Sequence, residues 1–206
     1  MRIVLFFLAA AVLNAYSVKI TSVSGSSAVV DKYVKKGVSG LVICPYGDRK
    51  IICARAILEG KKAFFYPYES LKNDAFALPT VYPKKGDEII LAKNYDRILI
   101  IAPDQQTYLK VKALYKNSVV ISPDNFALYV DELPLKKDFV KFAKEYDVGK
   151  IVFVLDKLYE VDALSFYVIK KSLRYNVIYK KPFFTTLDIY NEKVNMIDYY
   201  KSMLKD

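Results

Sequence analysis

The chain has 206 residues, 32 Lys+Arg against 22 Asp+Glu for a net charge of +10, 53% hydrophobic residues and no histidine. That balance belongs to a folded protein of one domain or two small ones, long enough to bury a core. The missing imidazole removes Ser-His-Asp and Cys-His nucleophile systems, histidine acid/base work and most catalytic zinc sites, so a binding or structural protein, not an enzyme, is expected.

Met1-Arg2 is followed by an uncharged apolar run over 3–13. The run is too short for a membrane span of ~20 residues and fits the apolar region of a secretory signal. Small residues at Ala15 and Ser17 allow cleavage after either one, so 1–17 reads as a signal peptide and the product as exported. An uncleaved anchor or a buried first strand is the alternative, because 18–23 continues in a strand-like pattern. No cysteine ends the run, which argues against lipoprotein processing. No later stretch is apolar for long enough to span a bilayer, so the periplasm is the expected location and the cell surface the alternative.

From 18 to 95 the pattern is one of short alternating segments, at 18–23, 28–34, 38–44, 51–58, 63–66 and 88–91. Turn residues separate them at Ser24-Gly25-Ser26, Gly37, Gly47-Asp48, Glu59-Gly60 and Gly86-Asp87. This spacing predicts a small antiparallel β-barrel or sandwich. The stretch 68–78 breaks the alternation and reads as a short helical or irregular excursion. Cys44 and Cys53 lie on either side of the Gly47-Asp48 turn. If the loop is 47–50, Tyr46 opposes Ile51, Pro45 opposes Ile52, and Cys44 faces Cys53 across the hairpin. A disulfide then fits, and an oxidising compartment favours it. Two buried free thiols are the alternative, and a redox pair is disfavoured because the Cys-x-x-Cys spacing is absent.

From 96 to 190 strands and helices alternate, which predicts a compact α/β unit with a short parallel sheet and right-handed crossovers. The apolar run 98–102 leads through Pro103-Asp104 into a helix capped by Asp104, and 119–121 leads through Ser122-Pro123-Asp124 into a second. Phe139, Phe142, Ala143 and Tyr146 mark a third helix ending near Gly149, and 151–155 is another buried strand. Segments 161–169 and 177–179 are expected as edge strands. The tail, 191–206, has the pattern of an amphipathic helix. Met196, Tyr199, Tyr200 and Met203 on it are either docked on the chain's own domain or a partner interface.

No dinucleotide-binding or phosphate-loop glycine pattern occurs, so no cofactor is expected. Asp96, Asp104, Asp124, Asp156 and Asp162 stand near strand ends, where they read first as caps and turns and second as acid/base or cation-binding groups. Lysines come in pairs at 35–36, 61–62, 84–85, 136–137, 170–171 and 180–181. These read as solvated ends of strands and helices, or as an attraction to acidic surfaces that salt would weaken. Without an RNA-binding motif, zinc-finger spacing or an arginine-rich helix, nucleic acid is not expected as a partner.

Several segments in order resemble the N-terminal domain family of bacterial plasminogen-binding surface proteins. They are Tyr68-Glu69-Ser70-Leu71, Leu78-Pro79-Thr80, Lys85-Gly86-Asp87, Ile101-Ala102-Pro103-Asp104 with Tyr108, Ile121-Ser122-Pro123-Asp124, and Pro182-Phe183-Phe184. The resemblance implies an exported, non-enzymatic domain with host plasminogen as a partner. Members known for capturing plasminogen carry a long Lys/Arg/Glu-rich extension after this domain and can end in lysine, whereas this chain ends Met203-Leu204-Lys205-Asp206, so binding here is expected to rest on internal lysines. The same domain also fits a periplasmic scaffold subunit of an envelope machine, such as an accessory disk of a flagellar motor, which predicts self-association or a fixed protein partner.

Overall fold

Alternating burial along the first two strands, Val18 and Ile20 in β1 (Ser17–Ser24), then Ala28, Val30 and Val34 in β2 (Ser27–Val34), turns one face of each into a common interior. In the computed structural model, which describes residues 17–68, 81–130, 133–185 and 194–206, these strands close a barrel with three more. They are β3 (Ser39–Tyr46), β4 (Arg49–Tyr66) and β5 (Glu88–Leu91), in the order β1-β2-β4-β3-β5. Ala54, Ala56 and Ala63 face the interior with Leu58, Val42, Ile89 and Leu91, and small residues suit so narrow a barrel. Glu59-Gly60 is not a turn. β4 runs 18 residues without a break. Gly60, at φ +64°, stands where the pairing with β2 shifts register, so one strand bends there and pairs β3 with its first half and β2 with its second. The excursion expected at 68–78 lies outside the described residues apart from Tyr68.

The second unit is a five-stranded mixed sheet in the order β10-β9-β8-β6-β7. β6 (Arg97–Ile101), β7 (Val119–Ile121) and β8 (Lys150–Val154) are parallel, as expected. β9 (Lys157–Asp162) and β10 (Val168–Arg174) add on as antiparallel hairpins. The expected strand 161–169 is therefore split, because residues 163–165 form a turn, and 177–179 is not a strand. Instead Tyr179 is buried, with its hydroxyl donating to the Ile101 carbonyl at 3.0 Å.

Both faces of β6 and β8 are covered, which is why they read as continuous apolar runs. Ile98, Ile100, Val152 and Val154 pack with Tyr108 and Val111 of α1 (Gln105–Lys112). Leu99, Ile101, Ile151 and Phe153 face the opposite layer, built from α2 (Pro123–Tyr129), α3 (Lys136–Glu145) and α4 (Met196–Met203). Asp104 and Ser122 cap α1 and α2 as expected, accepting from the amides of Thr107 and Asp124. For α3, Asp138 accepts the Leu135 amide at 2.8 Å.

The tail helix is part of this core. Met196 is 1% and Tyr200 0% exposed, and the Tyr200 ring lies 5.2 Å from Phe153 and 5.8 Å from Tyr179. Tyr199 donates to the Pro134 carbonyl, and Met203 packs against the same cluster. The partner-interface expectation for Met196 and Tyr200 is thus replaced by docking onto the chain's own domain, the other outcome the same periodicity allows. The buried Tyr200 hydroxyl has no hydrogen-bond partner among the described residues. Replacing Tyr200 by Ala should cost about 3–5 kcal/mol in urea unfolding, whereas Tyr200→Phe, which removes only an unpaired polar group, should be neutral or stabilising.

Candidate functional site

The densest polar cluster lies where barrel and sheet meet. Asp162, the last residue of β9, is 0% exposed. Its Oδ2 accepts the amide and hydroxyl of Ser39 at 2.9 and 2.6 Å and the Tyr95 hydroxyl at 2.7 Å. Its Oδ1 accepts the amides of Leu164 and Ser165 at 3.0 and 2.8 Å. Ser165 donates onward to the Gly37 carbonyl at 2.6 Å. With five donors on one carboxylate, Asp162 is a closed structural node. Burial, and then the charge of Asp162, push the Tyr95 phenol well above its ordinary range and keep it a neutral donor. At the same junction Gly149 meets the Asn94 backbone so closely that a Cβ would have no room.

Beside it, Lys150 and Glu160 form a nearly buried ion pair at 2.9 Å, with Lys170 at 3.7 Å from the other carboxylate oxygen. The Lys150 ammonium lies 5.6 Å from the Tyr115 ring centre. Burial, then Glu160, raise the Tyr115 phenol above its usual range. The group is a paired, ring-packed ion pair.

The other carboxylates are dispersed. Asp104 is a helix cap that also accepts the Thr107 hydroxyl, Asp124 contacts Ser122 and Thr185, and Asp96 is exposed. Asp156 accepts from Tyr159 and pairs with Lys201 at 3.0 Å. Burial tends to raise its carboxyl, but the Lys201 and Tyr159 bonds outweigh that and hold it below its ordinary value. Among the described residues no three Cys, Asp or Glu side chains gather as a metal set.

The cysteines are bonded, though not as directly opposed residues. Gly47-Asp48 is a two-residue turn, so Tyr46 opposes Arg49, Pro45 opposes Lys50 and Cys44 opposes Ile51. The register shifts between the Ile43–Ile52 and Val42–Ala54 pairs and leaves Cys53 as the extra residue of a bulge. Cys53 thus bonds Cys44 on the diagonal, with Cα atoms 5.8 Å apart. Cys53 also lines a groove of about 890 Å³ walled by Val23, Ile52, Phe65, Tyr66, Tyr82 and Pro83.

The residues that carried the resemblance are mostly structural. Lys85-Gly86-Asp87 is the turn into β5, where Asp87 accepts the Lys84 amide at 2.8 Å and the Gly86 amide donates to Ile20. The Ala102 carbonyl accepts the Phe184 amide at 2.8 Å, and Tyr108 lies 5.2 Å from the Phe184 ring. Phe183, next to Pro182, is buried against Phe126. Two stretches far apart in sequence, 102–108 and 182–184, are therefore stitched together. Tyr68 lies 5.0 Å from the Arg55 guanidinium, and Glu69 lies outside the described residues.

The sequence model of a family described as plasminogen-binding protein pgbA N-terminal matches residues 15–205, across both units. The chain belongs to this family. A relative described as plasminogen-binding protein PgbA, from Helicobacter pylori (strain J99 / ATCC 700824), is 24% identical over 127 residues, which are 59% of this chain and 28% of that protein. The pgbA N-terminal match thus extends well beyond the aligned part of this relative, and the chain spans under a third of the relative's length. No solved structure matches the chain. No helix among the described residues is long and apolar enough to cross a membrane.

Closing the loop between Cys44 and Cys53, nine residues apart, should stabilise the fold by about 2–3 kcal/mol through the denatured chain. Urea unfolding with and without reductant, and of a Cys44→Ser/Cys53→Ser variant, should show the same loss in the reduced and the substituted protein.

Proposed function

We propose that this chain is an exported, non-enzymatic binding protein of the bacterial envelope, with plasminogen recognition through its exposed lysines as its family-related activity. The observation that carries this reading is the family match over residues 15–205, which takes in the barrel, the sheet and the docked tail. The buried titratable groups support it, because Asp162, Lys150 and Glu160 spend their bonding capacity on one another and on the fold. Lysines, by contrast, stand outside, with Lys61, Lys62, Lys84, Lys85 and Lys137 exposed. β1 begins at Ser17, so signal cleavage after Ala15 keeps the first strand whole.

A second reading, a periplasmic scaffold subunit of an envelope machine such as a flagellar motor accessory disk, is favoured by the bonding of the last residues. The Lys205 amide donates to Phe166, its carbonyl accepts the Val168 amide at 2.8 Å, and Asp206 pairs with Lys171 at 2.6 Å. A segment held in this way offers a fixed face for assembly.

Protease added to intact cells and to cells with a permeabilised outer membrane separates the two. Under the first reading the mature chain is digested in intact cells, and the purified protein retains plasminogen in a manner competed by a free lysine analogue. Protection until permeabilisation, with no lysine-competed retention, would replace it by the scaffold reading.

A further inference from the structure

The ten residues of α3 carry four lysines and bury only Phe139, Phe142 and Ala143. At 3.6 residues per turn, Lys136, Val140, Lys144, Lys137 and Lys141 fall, in that angular order, within about 140° of arc. These same five side chains line a groove of about 570 Å³ along the helix. Lys205 brings a further cation to one end, since its ammonium and that of Lys136 lie side by side over neighbouring rings, Lys205 at 5.4 Å from Tyr167 and Lys136 at 5.0 Å from Phe166. No ion pair among the described residues joins Lys136, Lys137, Lys141 or Lys205 to a carboxylate. Of the helix's own acids, Asp138 is engaged with the Leu135 amide, and Glu145 stands one turn on from Lys141 beside Tyr129, over whose ring the Lys141 ammonium lies at 5.5 Å.

A row of like charges held on a rigid helix repels itself, and the nearest relief is an anion laid along it. Consistent with that cost, burial, followed by the Lys205 charge, lowers the Lys136 ammonium to about 8. The shape of the site selects among anions. Lys137, Lys141 and Lys144 extend over about 10 Å of helix, Val140 gives the floor one half-buried apolar group, and the groove is shallow. An anionic bilayer also attracts lysines through charge alone, but its plane is far broader than this row on a single helix. An acidic polypeptide segment fits both the length and the groove.

We infer that the α3 groove is the docking site for an acidic polypeptide segment of a partner protein, with Lys136, Lys137 and Lys141 contacting its carboxylates and Lys205 closing one end. The inference rests on the reading of the chain as a binding protein and names the chemistry of one partner. It differs from capture of single lysines, because a charge row is weakened by salt, whereas single-lysine capture is competed by a lysine analogue at constant salt.

The probe is a labelled glutamate-rich peptide, titrated onto the full mature protein by fluorescence anisotropy at rising salt. Binding should weaken steadily with salt and fall roughly tenfold in Lys137→Glu/Lys141→Glu, while Lys61→Glu/Lys62→Glu on the barrel leaves it unchanged. Thermal unfolding should be the same in both variants. In parallel, the Lys136 side-chain NMR titration should move its midpoint upward when the peptide is bound, since a nearby carboxylate favours the charged ammonium. Equal loss in the two variants would overturn the inference as general charge attraction. A peptide that does not bind, with anionic phospholipid vesicles retained in its place, would overturn it in favour of a membrane. Either failure leaves the plasminogen and protease assays free to succeed, so it is distinguishable from failure of the functional reading.

Discussion

Taking the Asp162 carboxylate out of water costs several kcal/mol unless its lone pairs are engaged. The donors that engage them come from both halves of the molecule, the amide and hydroxyl of Ser39 from the barrel, the Tyr95 hydroxyl from the connection, and the Leu164 and Ser165 amides from the turn after β9. Neither half supplies a full set, so the carboxylate is satisfied only when barrel and sheet sit in one orientation. Around this node the chain tolerates conformations that are costly elsewhere. Phe166 is held at φ +63° and Asn94 at φ +63°, beside the site where Gly149 lets two backbones touch. The Phe166 ring, fully buried between Phe139 and Phe153, offsets the strain at its own backbone.

The distribution of charge follows from the same economy. Carboxylates and lysines drawn inside are tied to one another or to hydrogen-bond donors, as in the Lys150–Glu160 pair. The excess of cations is left outside, on turns and on α3. A body so arranged has a disulfide-bonded hairpin and a basic exterior, the features on which the proposed binding role draws. The barrel groove beside Cys53 and the lysine groove of α3 differ in character, one apolar and one cationic.

Local signals made much of this legible. The Asp104 and Ser122 caps, the doubly buried runs at 98–102 and 151–155, and the pairing of Cys44 with Cys53 depend on residues close together in sequence, where turn and cap chemistry acts. What escaped depends on contacts at long range or on choices a motif leaves open. Gly60 marks a turn or a bulge equally well, and only pairing on both sides of β4 selects the bulge. The diagonal disulfide follows from the size of the turn, which pattern alone does not set. Asp162 read as one turn aspartate among five, because its decisive partner, Ser39, lies 123 residues away. The α4 periodicity suits docking or display alike, and the aromatic pocket that decides the matter is assembled from β8, α3 and the residues around Tyr179.

If Asp162 is what makes barrel and sheet one folded body, native-state amide exchange reads it directly. Val42 and Ile89 report on the barrel, and Ile100 and Val152 on the sheet. In the unaltered protein the two sets should share one highest opening free energy, and in Asp162→Asn, whose amide nitrogen would confront donors, they should separate, with one half exchanging through its own, lower-energy opening. Separate ceilings already present in the unaltered protein, or a shared ceiling that survives Asp162→Asn, would contradict the account.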